Sequence, residues 1–270
     1  MYKIIFIDID GTLRNDEKEI SNRTKKAIHR MVEKGIQIVI CSGRHRQFVE
    51  EVSKEALASG YIISCNGGEI YDYEKKEVIY ENNLNNEEIL ALYQMAEKYD
   101  AQVIINSREK RVVKKQSEDK TDILLKEPIE EFVKHNTVTQ CIFTDRNLNK
   151  IQKIKEEIEN RKELEIPNLS KSLINPVIQP ESSLFLDVTR KGTSKGVAIK
   201  KLCAYLHIDL KDSVAIGDSY NDLTMFEAVG HAVAMGNAPE DIKRRVDEVT
   251  DTNNEDGVAK FLENIDKEGI

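Results

Sequence analysis

The run Lys3-Ile4-Ile5-Phe6-Ile7 passes without a spacer into Asp8-Ile9-Asp10-Gly11-Thr12. An apolar segment of this length reads as a strand, so two carboxylates stand where the strand ends and the chain must turn. In open α/β sheets that edge is where ligands bind. If the extended conformation continues that far, alternation puts Asp8 and Asp10 on one side, and Gly11 permits a sharp departure. An isolated Asp-x-Asp-Gly is more often a turn closed by side-chain hydrogen bonds. Its weight therefore depends on whether the rest of the chain repeats the same grammar.

It does. An amphipathic helix follows Ser21, with Ala27, Ile28, Met31 and Val32 on one side and a stop at Gly35. Gln37 to Cys41 reads as a second strand, Gln47 to Ala58 as a helix and Tyr61 to Cys65 as a third strand, which implies a parallel sheet with helices on its faces. Near the C-terminus the pattern returns: helix Lys195 to Leu206, strand Ser213 to Ile216, helix Asp222 to Val229, strand His231 to Ala234 and a helix from Pro239. Between these halves the reading changes to helix Glu87 to Tyr99, strands near Val103 and Val112, strand Cys141 to Thr144, helix Leu148 to Asn160 and strand Leu184 to Leu186. The expectation is an α/β protein with a core formed by residues 1–82 and 188–270 and an inserted α+β domain over 83–187.

The totals fit an ordinary folded protein: 270 residues, 40% apolar, 33% charged, with a formal net charge of −8. Charges of both signs are interspersed, and clusters such as Lys110, Arg111, Lys114 and Lys115 read as solvated faces, so nucleic acid is not expected as a partner. A net negative surface repels anions at long range, so any phosphate site must gather local positive charge. No apolar stretch approaches a membrane span, and the N-terminal apolar run is too short for a signal sequence. Cys41, Cys65, Cys141 and Cys203 show no Cys-x-x-Cys spacing and read as reduced packing thiols of a cytoplasmic protein.

Three further segments each follow or flank an apolar run. Cys41-Ser42-Gly43-Arg44 offers a hydroxyl and unencumbered backbone N–H groups to an oxyanion, although Ser-Gly alone is commonly a helix cap and turn. Lys195, opening a helix in Gly192-Thr193-Ser194-Lys195-Gly196, places an ammonium and a helix N-terminus where both can face an anion, although a lone lysine is usually solvated. Gly217-Asp218-Ser219-Tyr220-Asn221-Asp222 again sets acids at a strand end, where Asp222 alone would serve as a helix cap. Brought together, Asp8, Asp10, Asp218 and Asp222 would repel one another, so their convergence implies a cation. Hard carboxylate oxygens point to Mg2+.

These four segments, in this order, resemble the motifs of the haloacid dehalogenase superfamily, and the resemblance spans essentially the whole chain. Positions 11–41 leave no room for a sizeable insert after the first motif, whereas positions 68–194 do. The mixed insert and Asn66-Gly67-Gly68 after the third strand resemble the Cof-type hydrolases, which carry an α/β cap there. The resemblance implies a Rossmann-like core and a phosphatase acting on small phosphorylated metabolites, sugar phosphates prominent among them. It implies Asp8 as nucleophile, forming a phosphoaspartate, and Asp10 as general acid and base. Mg2+ would be held by the side chains of Asp8 and Asp218 and the backbone carbonyl of Asp10. Ser42, Gly43, Lys195 and Asn221 would bind phosphate, with Thr12, Arg44, Asn66, Gly67 and Asp222 in support.

Two alternatives remain open at this point. A phosphomutase on the same scaffold would need a distal phosphate site, for which Arg108, Arg111, Arg146 and Arg161 are candidates. A non-catalytic phosphometabolite sensor would need neither Asp8 nor Asp10. Oligomeric state and the physiological substrate are not encoded in any motif.

Overall fold

The computed structural model describes residues 2–117, 119–120, 122–167 and 183–268. It divides into two compact units, residues 1–80 with 194–270 and residues 81–193.

The first unit is built on an eight-stranded sheet ordered Glu248–Val249, His231–Ala234, Ser213–Gly217, Ile4–Ile7, Gln37–Cys41, Tyr61–Ser64, Glu69–Asp72, Glu77–Glu81. The strands from Glu248 to Ser64 in that order pair in parallel. Because successive side chains point to opposite faces, each central strand feeds two cores. Ile5, Ile7, Ile38 and Ile40 pack with the helices Asn22–Glu33, Arg46–Glu55 and Gly257–Glu268 on one face. Ile4, Phe6, Val39 and Cys41 pack with Lys195–Tyr205, Leu223–Phe226 and Glu240–Lys243 on the other. Each fully buried side chain of this size contributes about 1.5–3 kcal/mol relative to exposure. The result is the Rossmann-like three-layer core that the alternation of strands and helices implies.

Local signals set the element ends. Ser21 caps the first helix by accepting from the Thr24 N–H, and Gly35 follows it at φ 82°. The third strand stops at Ser64, one residue earlier than its apolar run suggests, because Cys65 and Asn66 take positive φ of 51° and 57°. That tight turn reverses the chain, so Glu69–Asp72 returns antiparallel to Tyr61–Ser64 and the sheet edge is mixed rather than parallel throughout. The helix expected over Asp222 to Val229 is a 3-10 turn, Tyr220–Asp222, followed by the short helix Leu223–Phe226.

The second unit is a six-stranded sheet ordered Leu164–Glu165, Leu184–Arg190, Val138–Asp145, Gln102–Ser107, Arg111–Val113, Ile123–Leu124. Its pairs are antiparallel except Arg111–Val113 with Ile123–Leu124. The helices Asn86–Lys98, Ile129–His135 and Leu148–Glu159 cover one face over Leu92, Phe132, Phe143, Ile154 and Leu186. Asn85 and Glu88 form a reciprocal capping box at the first of these. The strand beginning at Leu184 continues through Asp187 to Arg190, so a boundary at 187 falls inside a strand and the compact unit ends at Thr193. Residues 168–182 of the expected 83–187 insert lie outside the described residues. Among the described residues no helix is long and apolar enough to cross a membrane.

Candidate active site

Asp8 sits where the central strand ends, its N–H donating to Ile216 O at 3.0 Å, so the first motif is pinned to the neighbouring parallel strand. The chain then coils: Leu13 N–H donates to Asp8 O and Arg14 N–H to Ile9 O. Gly11 turns at φ 82°, and a Cβ there would lie 2.6 Å from Asp218 Oδ2, so this position requires glycine on both counts. Thr12, 2% exposed, donates its hydroxyl to Asp218 Oδ1 at 3.1 Å and so ties the first motif to the last.

Lys195 opens its helix behind the Ser194 cap and is 1% exposed. Its Nζ donates to Asp8 Oδ1 at 2.5 Å and to Asp222 Oδ1 at 2.6 Å. The other oxygen of Asp222 accepts from the backbone N–H groups of Asp218 and Ser219 at 3.0 and 2.9 Å. Both oxygens of Asp222 are therefore committed to protein donors, while Asp8 keeps Oδ2 beyond its bond to Lys195.

Carboxylate oxygens of Asp8, Asp218 and Asp222 lie within 4.8 Å of one another, all buried. Burial pushes the Asp8 carboxyl up to about 8 from an ordinary 3.8, opposed by the pull of Lys195 and assisted by repulsion from Asp222 and Asp218. Burial alone would lower the Lys195 ammonium, but Asp222 and Asp8 hold it well above its ordinary value. With Asp8 ionised, as holding a cation requires, three carboxylates against one ammonium leave an excess of two negative charges, which one divalent cation would neutralise. Asp8 and Asp218 are the members of the cluster better suited to hold it, because three protein donors already occupy the two oxygens of Asp222. The donor set is hard oxygen only, which fits Mg2+.

Asp10 is not in that cluster. Its carboxylate, 36% exposed, is held by Arg44 in a two-point pair at 2.9 and 3.1 Å, and the Arg44 guanidinium also stacks over Phe48. Of the metal set read from the sequence, the side chains of Asp8 and Asp218 come together. Asp10, read from the sequence as a ligand through its backbone carbonyl, turns its carboxylate to Arg44 and contributes no carboxylate oxygen to the cluster.

Ser42 is 2% exposed, and its hydroxyl oxygen accepts the Arg44 N–H at 3.3 Å, leaving the hydroxyl hydrogen for another acceptor. A Cβ on Gly43 would lie 2.8 Å from Asn66 Oδ1. Asn221 donates to that same Asn66 oxygen at 3.3 Å, linking the loop after the third strand to the last motif. Gly67 turns at φ 94°, and a Cβ there would be 2.1 Å from Ser194 O, beside the start of the Lys195 helix.

Sequence reasoning passed over Asn237, Asn253 and Asn254, which contact the loop following Asp10. The available signal was position: Met235-Gly236-Asn237 directly follows the strand His231–Ala234, at the same sheet edge as the other motifs. It also passed over the buried pair Arg46–Glu69, with Ser64 donating to Glu69, which braces the turn at Cys65.

Acids and a buried lysine gather at the carboxyl edge of a parallel sheet, the place where α/β enzymes bind their ligands. Residues 5–262 match the family described as haloacid dehalogenase-like hydrolase, and the chain belongs to that family as a phosphatase. It is 32% identical over 260 residues to the 5-amino-6-(5-phospho-D-ribitylamino)uracil phosphatase YcsE of Bacillus subtilis (strain 168), covering 96% of this chain and 94% of that protein. A haloacid dehalogenase-like hydrolase from Bacteroides thetaiotaomicron superposes with a TM-score of 0.84 at 31% identity, covering 98% of this chain and all of that one (100%). A subclass IIB sugar phosphatase of the superfamily superposes with a TM-score of 0.79 at 26% identity, covering 98% and 99% of the two chains.

Proposed function

We propose that this phosphatase hydrolyses small phosphorylated metabolites, sugar phosphates among them, through a phosphoaspartate on Asp8, with Mg2+ as cofactor. The observation that carries this reading is the sharing of Lys195 between Asp8 and Asp222, which fixes one oxygen of Asp8 and leaves Oδ2 as the nucleophile.

Asp8 Oδ2 attacks phosphorus in line as the bond to the alcohol oxygen breaks, and Asp10 supplies the proton that oxygen needs. In the second half Asp10 takes a proton from water as it attacks the phosphoaspartate, releasing inorganic phosphate and restoring Asp8. Lys195 and Ser42 hold the transferring oxygens, with Gly43 and Asn221 beside them. Asp222 orients Lys195, while Thr12 orients Asp218. Bound by Asp8, Asp218 and the Asp10 carbonyl, Mg2+ would neutralise the acids and the ester so that two anions can meet. Arg44 sets the direction of the Asp10 carboxylate. The second unit is read as the cap that selects the organic group.

Hydrolysis is favoured over phosphomutase chemistry because three of the arginines suited to a distal phosphate are paired with acids of their own unit: Arg108 with Glu81, Arg111 with Asp122, Arg161 with Glu163. The test is a panel of phosphorylated metabolites and nitrophenyl phosphate assayed with EDTA and then with excess Mg2+. Turnover should vanish with EDTA and return with Mg2+, with inorganic phosphate as product. Undiminished turnover in EDTA would remove the cofactor assignment, and phosphoryl transfer to a second sugar hydroxyl would favour the mutase.

A further inference from the structure

Resting on that reading of Asp8 and Asp10, we propose that Asn237 is a positioning residue that fixes the turn carrying Asp10 from outside the catalytic cluster. Its side-chain Nδ2 donates to Gly11 O at 2.8 Å, and its Oδ1 accepts the Asn253 backbone N–H at 3.0 Å.

The contact falls on the glycine between Asp10 and Thr12. A glycine at φ 82° has no side chain to restrict it and visits several backbone wells at little cost. Holding its carbonyl fixes the peptide that joins it to Thr12 and limits the ψ of Gly11. The Thr12 hydroxyl reaches Asp218, so the turn is held on one side by Asp218 and on the other by Asn237.

Asn237 is itself anchored. Asn253 Nδ2 donates to Arg14 O at 3.1 Å and to Asp16 Oδ1 at 3.2 Å. Asn254 donates to Asp16 Oδ2 at 2.9 Å, and its Oδ1 accepts the Asp16 N–H at 3.0 Å. The two asparagines hold the Asp16 carboxyl below its usual range, Asn254 having the larger effect. Two separate segments, Asn237 after the strand His231–Ala234 and Asn253–Asn254 after the strand Glu248–Val249, thus grip residues 11, 14 and 16 through amide side chains whose donors and acceptors are matched.

Asn237 is exposed, so water can replace its hydrogen bonds and its share in overall stability is small. A residue with so small a share in stability, aimed at the most pliant residue of the catalytic turn, acts on geometry. Losing it lets Asp10 drift relative to the leaving oxygen, and a displacement of about 1 Å is enough to cost two orders of magnitude in a positioned reaction.

The experiment compares nitrophenyl phosphate with phenyl phosphate, whose leaving group, with a pKa of about 10 like tyrosine, has far more need of a proton. Asn237→Asp keeps the acceptor for Asn253 but replaces the donor to Gly11 by a charged acceptor that repels its carbonyl. Asn237→Ala loses both. In each variant kcat on phenyl phosphate should fall about tenfold or more, with a smaller fall on nitrophenyl phosphate and KM within about twofold of the parent. The ratio of the two kcat values is the readout, because a merely structural role lowers the amount of active enzyme and leaves that ratio unchanged. An unchanged ratio overturns the proposal. Should both variants be insoluble, Asn254→Ala, at the exposed end of the same clamp, is held to the same ratio. Asp8→Asn is run beside them: residual turnover there removes the underlying reading of the site, independently of what Asn237 does.

Discussion

Asp222 divides its carboxylate between two tasks, binding the Lys195 ammonium through Oδ1 at 2.6 Å and the Asp218 and Ser219 N–H groups through Oδ2. One side chain therefore shapes the turn after the strand Ser213–Gly217 and aims the lysine at Asp8. Asp222 has no exposed surface, and Gly217 must be glycine beside it because a Cβ would lie 2.6 Å from its carboxylate.

Asp222→Ala should therefore be among the costliest substitutions in the core unit. It strands two backbone donors and half of the lysine's partners, and breaking a buried pair from one side costs about 3–5 kcal/mol. Chemical denaturation should show a loss in that range, with kcat reduced by about two orders of magnitude as Lys195 loses its aim. A loss below about 1 kcal/mol would mean that water replaces the carboxylate freely and that the site is less closed than its burial indicates.

Without divalent cation, the protein should lose stability as pH rises. The Asp8 carboxyl has an ordinary value of 3.8 and is pushed up to about 8 in the folded chain, so the unfolded chain sheds this proton first. The Asp8 contribution is fully present below about 4 and is lost as pH climbs through about 8. A cation held by Asp8 and Asp218 opposes this, so the rise in melting temperature on adding Mg2+ should be greater at pH 8.5 than at pH 5. Asp8→Asn, which removes the titrating group, should flatten the EDTA curve across that window. A parent curve in EDTA with the same slope as the variant's would refute the assignment.

The core and its motifs were legible because each strand is short, apolar and followed at once by its functional residue, as Ile4–Ile7 by Asp8 and Ser213–Gly217 by Asp218. The strands Glu69–Asp72 and Glu77–Glu81 were not, since each is an apolar stretch of only two or three residues bounded by acids, lies toward the sheet edge and depends on the turn at Cys65–Gly67. The helix Gly257–Glu268 was missed although its amphipathic pattern resembles that of Asn22–Glu33, against which it packs. Within the candidate site, residue types and order singled out Asp8, Lys195 and Asp218, which the structure brings together. No spacing rule announced the Arg44–Asp10 pair or the Asn237 clamp, because both join segments distant in sequence through side chains that are common on surfaces.

All four cysteines are buried and free, and burial pushes the thiols of Cys41 and Cys141 up to about 12 and that of Cys203 to about 11. The thiolate is the reactive form. With a disulfide reagent at pH 8, the native protein should therefore show almost no fast thiol, and four should appear after denaturation. A rapid native reaction would expose a local opening around whichever cysteine mass spectrometry identifies.

Asp8 and Asp10 stand two positions apart, yet the structure gives them different company: Asp8 is 5% exposed and bonded to Lys195, while the Asp10 side chain is 36% exposed and paired with Arg44. Asp8→Asn should abolish phosphoenzyme and turnover together, because an amide is a poor nucleophile and a weaker ligand for Mg2+. Asp10→Asn should depend on the leaving group. Nitrophenolate departs without a proton, whereas a sugar alkoxide requires one. Rapid mixing of Asp10→Asn with nitrophenyl phosphate should give a burst of nitrophenol approaching one per active site, followed by slow hydrolysis, since the water that attacks the phosphoaspartate has lost its base. A sugar phosphate should give almost no burst, because the first step now lacks its acid. A variant that shows no burst and treats the two esters alike would leave Asp10 with a structural or metal-positioning role only. The proton transfers would then have to come from another group at this edge of the sheet.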